Sequence, residues 1–133
     1  MKNGKINTFT DLIVWKEGHL LVLSIYGITK LFPKEETYSI VDQMRRASSS
    51  ITANIAEGFG RQTYREKVQF FYISKGSLAE LNNFLLIAKD LHYINEKTFS
   101  EISEQAVVVE KLLQGLINKT KTFLDSKSII NNQ

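Results

Sequence analysis

Apolar residues recur along this chain at steps of three and four, and nowhere do they alternate with a period of two over a useful length, so helices are predicted throughout. The first runs from Leu12 to Phe32, about 30 Å of helix. Thr10 or Asp11 is placed to cap its free N–H groups, and Pro33, the only proline, stops it. The second spans Tyr38 to Glu57 and is expected to close at Gly58 through a left-handed residue, with Gly58-Phe59-Gly60 as the turn. Thr63 and Glu66 have the spacing of a capping box and open the third, over 64–92, with its apolar face on Phe70, Phe71, Ser74, Leu78, Leu81, Leu85, Ala88 and Leu91. Asn95 caps the fourth, over 96–123, where Phe99, Ile102, Ala106, Val109, Leu113, Leu116 and Phe123 keep the spacing of bundle packing. The polar tail after Leu124 is expected to fray.

Connections this short favour antiparallel neighbours, so the pattern predicts an all-α, up-down-up-down four-helix bundle forming one domain over 1–133. Two stretches point to burial beyond one bundle. Leu20-Leu21-Val22-Leu23-Ser24-Ile25-Tyr26 is apolar around nearly its whole circumference, and Ala47, Ser48, Ser49, Thr52, Ala53 and Ala56 form a small-residue stripe that lets another helix approach. Together they favour a homo-oligomer.

With 43% apolar and 23% charged residues, the chain has the composition of a folded globular domain. It has no cysteine, which excludes a disulfide scaffold and thiolate metal sites and leaves the cytoplasm as the default compartment. The most apolar run, Leu20 to Ile28, is far short of the roughly 20 residues that cross a bilayer. A net charge of +3 leans only mildly toward anionic partners.

The residues for chemistry are sparse. No Glu-x-x-His occurs, so a helical di-iron site is excluded, and His19 and His92 lie on different helices with no second histidine one turn away. Ser48-Ser49-Ser50 has no neighbouring base to activate a nucleophile, and Gly58-Phe59-Gly60-Arg61 lacks the strand and Gly-Lys-Ser/Thr of a phosphate loop. No cofactor and no catalytic activity are expected. Residues 37–67, by contrast, hold all four arginines and Lys67 against Asp42, Glu57 and Glu66. Guanidinium suits forked recognition of phosphate, while internal pairing, above all of Glu57 with Arg46 or Arg61, is the structural alternative.

Gln43-Met44-Arg45-Arg46-Ala47-Ser48-Ser49-Ser50-Ile51, then Asn54-Ile55-Ala56-Glu57-Gly58, Gly60-Arg61 and Ser74-Lys75-Gly76-Ser77-Leu78-Ala79-Glu80-Leu81 form a recognisable phrase. It resembles the four-helix bundle proteins encoded in intervening sequences of bacterial 23S rRNA genes, and the likeness spans roughly residues 9–120. Leu12, Trp15, Tyr26, Thr29, Phe32, Pro33, Glu36 and Leu91-His92-Tyr93-Ile94 extend it, and Thr52 departs from it where the family often has proline. That family is similar to the accessory protein of diversity-generating retroelements, a pentameric bundle with a basic surface that binds nucleic acid and the reverse transcriptase. The resemblance implies a homopentameric ring, RNA or DNA as ligand, and a reverse transcriptase as a partner by analogy. Arg45, Arg46, Arg61, Arg65, Lys67 and Lys75 are the expected phosphate contacts. The alternative is a protein-interaction scaffold with structural arginines.

Overall fold

The computed structural model describes residues 4–131, with side chains described through Asp125. Four helices make up the architecture: α1 (Ile13–Thr29), α2 (Asp42–Gly60), α3 (Tyr64–Asp90) and α4 (Glu96–Asn131). Contacts between helices run in opposite directions along each neighbouring pair. Gly18 meets Thr52 while Tyr26 meets Arg45, Ser50 meets Ser77 while Gly58 meets Phe71, and Lys89 meets Phe99 while Tyr72 meets Lys121. Sequential neighbours are therefore antiparallel, and α1 packs on α4 to complete a single four-helix bundle.

Leu21, Ile25, Met44, Ile51, Ile55, Leu78, Leu81, Leu85, Val109, Leu113 and Ile117 form its fully buried centre. Along α4 the inward row passes from Leu113 to Ile117 and Thr120, so Leu116 is only partly buried and Phe123 is exposed. A straight helix drifts off a strict three-and-four repeat within two turns, which accounts for the difference. Leu91 likewise lies outside the core, at 52% exposure.

Several ends differ from those the sequence predicts. α1 stops at Thr29 because Leu31 and Phe32 donate to Ile28 and Thr29 in tightened i→i−3 bonds before Pro33, which has no N–H to give. At its start, Asp11 accepts from the N–H groups of Asn7 and Thr8 and so serves the short 3₁₀ turn Phe9–Asp11 rather than α1. A π-helical turn, Thr37–Val41, with Ser39 out of helical geometry, precedes α2. Gly58 is not a left-handed terminator: α2 continues to Gly60, and the turn is Arg61-Gln62-Thr63. The glycine is there for packing, because a Cβ on it would lie 2.6 Å from Phe71 Cε1 and 3.1 Å from Phe70 Cβ. α2 runs unbroken through Thr52, whose methyl faces Gly18. α4 continues to Asn131, past the point where fraying is predicted, and the tail holds neither Gly nor Pro to break it. Asn132 and Gln133 lie outside the described residues.

The caps of α3 and α4 form at the expected residues: Thr63 Oγ1 accepts from Glu66 N at 3.2 Å, and Asn95 Oδ1 accepts from Thr98 N at 2.8 Å. The left-handed residue of the bundle is His92, at φ +63°. It closes α3 by a Schellman motif in which Tyr93 N donates to Ala88 O and His92 N to Lys89 O. Among the described residues no helix is long and apolar enough to cross a membrane.

Candidate nucleic-acid interface

The α2–α3 seam is polar as well as tight. Ser74 donates to Ile51 O at 2.7 Å, Ser50 and Ser77 share a 2.8 Å hydrogen bond, and Asn54 donates to the Ser50 carbonyl and hydroxyl. Ser48 donates to Arg45 O. These hydroxyls satisfy each other and the backbone in the packed interior, which accounts for the serine run without a nucleophile. Two of the six residues of the small-residue stripe, Ala47 and Ser48, are buried in this interior, Ser49, Thr52 and Ala56 are half-buried, and Ala53 is exposed. Among the described residues no group of three His, Cys, Asp or Glu side chains is placed to hold a metal ion.

The six cations singled out by the sequence do not form one surface. Arg45 and Arg61 are both on or next to α2, yet sixteen residues of helix separate them by about 24 Å along the axis, against a Debye length of about 8 Å in physiological salt. They act as separate sites. Arg45 is partly buried: its Nε donates to Thr29 Oγ1 at 3.0 Å, and its guanidinium lies 4.7 Å from the Tyr26 ring centroid. Thr29 in turn donates to Ile25 O. Arg45 thus ties α2 to the last turn of α1. Arg46 pairs with Asp42 at 3.2 Å, not with Glu57, and its side chain is 79% exposed.

At the other end of α2, Arg61 pairs with Glu57 at 3.2 Å and stacks over Phe70 at 4.6 Å. Arg65 is exposed on the first turn of α3. Lys67 turns inward: its ammonium donates to Phe59 O at 2.6 Å and Gly58 O at 3.4 Å, holding the carbonyls of the last turn of α2. A cation is favoured there by the helix dipole, although burial lowers the Lys67 pKa from the usual lysine value. Lys75 lies two turns further along α3, facing α4, and donates to Gln114 Oε1 at 2.7 Å.

The antiparallel register adds cations that the sequence reading passed over. The second half of α4 returns to the α2–α3 turn, where Tyr64 stacks on Phe123 at 5.4 Å and Lys121 lies 5.1 Å over the Tyr72 ring. Residues 57–76 and 112–125 together carry Arg61, Arg65, Lys67, Lys75, Lys119 and Lys121 against Glu57, Glu66 and Asp125. Residues 77–111, at the opposite half of α3 and α4, reverse the balance with Lys89, Lys97 and Lys111 against Glu80, Asp90, Glu96, Glu101, Glu104 and Glu110. Along α3, α4 and the turn before α3, one half is basic and the other acidic, a contrast that a net charge of +3 conceals. The only advance signal for Lys119 and Lys121 is the antiparallel pairing of α3 with α4.

The family model for the 23S rRNA-intervening sequence protein matches residues 10–115. The chain belongs to that family. Its fold is similar to a crystal structure of a protein of unknown function from the S23 ribosomal protein family of Bacteroides thetaiotaomicron, with a TM-score of 0.73 at 22% identity, covering 79% of this chain and 98% of that one. No curated protein matches the sequence. The shared fold extends through all but a fifth of the chain, and at this identity it speaks for architecture alone.

Proposed function

We propose that this family member is a cytoplasmic, non-enzymatic, homo-oligomeric accessory protein, a pentameric ring by the family resemblance, that binds RNA or DNA through the basic end of the bundle. The observation that carries the reading is the segregation of charge: twice as many cations as acids around the α2–α3 turn and the second half of α4, with the ratio inverted at the far half of the same two helices. Arg61, Arg65, Lys75, Lys119 and Lys121 are the phosphate contacts. Arg45 and Lys67 hold helices together, and Arg46 stands apart on the outer face. Contacts of this kind neutralise phosphate charge without reading bases, so affinity falls steeply with salt and varies little with sequence.

Assembly is supported by α1, where Ile13, Leu20 and Leu23 are 63%, 50% and 54% exposed, with Lys16 and His19 as the exposed polar residues beside them. In a ring the basic ends are repeated, and the modest charge of one chain is multiplied.

A second reading, a scaffold for a protein partner, is favoured by the same exposed apolar residues together with the structural engagement of Arg45 and Lys67. Light scattering on the protein with and without a short RNA, at two salt concentrations, separates the two. A mass of several chains that gains RNA at low salt and loses it at high salt supports the nucleic-acid reading. An oligomer that ignores RNA at both supports the scaffold, and a monomer contradicts both.

A further inference from the structure

The groove between α3 and α4 at the basic end differs from a plain phosphate-binding surface. Lys75 can only donate, so the Gln114 carbonyl oxygen must accept from it, and the Gln114 amide nitrogen then donates to Asn118 Oδ1 at 2.9 Å. The chain of bonds fixes both amide orientations. It leaves the Asn118 amide N–H groups, on an exposed residue, as donors at its open end. Beside this row stands Tyr72, 41% exposed, with Lys121 over its ring, and Arg65 lies two helical turns before Tyr72 on the same face of α3. The surface therefore offers hydrogen-bond donors, three cations and a partly exposed aromatic ring with one face covered by Lys121, and calls for a ligand rich in acceptors and flat rings.

We propose that this groove binds single-stranded nucleic acid, with a base stacked on the face of Tyr72 opposite Lys121, its flanking phosphates on Lys121 and Arg65, and base or phosphate oxygens on Asn118 and Lys75. A duplex keeps its ring faces inside its own stack, so it can use the cations but not the tyrosine. Three cations on one chain give a weak electrostatic attraction, and stacking, which is tolerant of sequence because every base has a flat face, supplies the rest. The exposed apolar residues Ile13, Leu20 and Leu23 lie on α1, a different helix from those that form the groove. This inference rests on the nucleic-acid reading and narrows it to unpaired strands.

The test is fluorescence anisotropy with a labelled oligouridine RNA and a labelled RNA duplex of equal length, at low and moderate salt, on the full chain. Wild type is expected to hold the single strand at least about tenfold more tightly than the duplex. Tyr72→Ala should weaken single-strand binding by about 5- to 150-fold, the range found for losing one stacked base, with little effect on the duplex. Tyr72→Phe, which keeps the ring, should bind as wild type. It also guards against misfolding, as does a melting curve of Tyr72→Ala. Lys121→Gln should make the salt dependence shallower by about 0.7 in log–log slope. Equal affinity for both ligands, or full single-strand affinity in Tyr72→Ala, overturns the stacking groove while leaving nucleic-acid binding in place. Failure of wild type to bind either ligand at low salt overturns both.

Discussion

Around the α2–α3 turn, six cations stand against three acids; along the opposite half of α3 and α4, three cations stand against six acids. An arginine at the start of α2 and one at the start of α3 show what the contrast means. Arg45 spends its guanidinium on Thr29 and Tyr26 within the bundle, whereas Arg65 is exposed on the first turn of α3. Clustering along a sequence is not clustering in space: a helix of α2's length delivers its two ends to opposite poles of the molecule, and only residues sharing a pole can share a ligand.

The comparison breaks most severely at Gly58, on which the close approach of α2 and α3 depends. Gly58→Val places a branched side chain against Phe71 and Phe70 and is expected to cost about 3 kcal/mol, read as a lowered midpoint in chemical denaturation. Arg45→Ala removes a partly buried hydrogen bond and a cation–ring contact at the other pole. It should destabilise by about 1–2 kcal/mol while leaving RNA affinity unchanged. His92→Gly works in the opposite direction, relieving a non-glycine residue at φ +63°, and thermal melting should show a gain of about 1 kcal/mol. The smallest change is Arg46→Ala. Its pair with Asp42 is solvated, so stability should shift by less than about 0.5 kcal/mol.

Much of the fold was legible because helix periodicity and capping are local. Thr63 and Asn95 cap α3 and α4 as their spacing predicts, and the buried rows of α3 and α4 follow from step lengths with departures at Leu91, Leu116 and Phe123. Gly58 was misread because two physical uses of glycine, a left-handed turn and a close helix contact, look alike without knowing what packs opposite; the left-handed position fell on His92. The site was legible only in part. Arg61 and Arg65 do lie at one pole, but the pairing of Arg46 with Asp42, the inward turn of Lys67 onto two carbonyls, and the arrival of Lys119 and Lys121 depend on the register between helices. No local pattern carries that register.

The central claim is that one pole of the bundle carries the binding, and salt-dependent RNA titration of two multiple variants tests it most directly. Arg61→Ala with Arg65→Ala and Lys119→Ala should weaken binding and lower the log–log salt slope by about 2, from three phosphate contacts at about 0.7 each. Arg45→Ala with Arg46→Ala should leave both affinity and slope at the wild-type value. Equal losses in the two variants, or a loss confined to the Arg45 and Arg46 pair, would contradict the account.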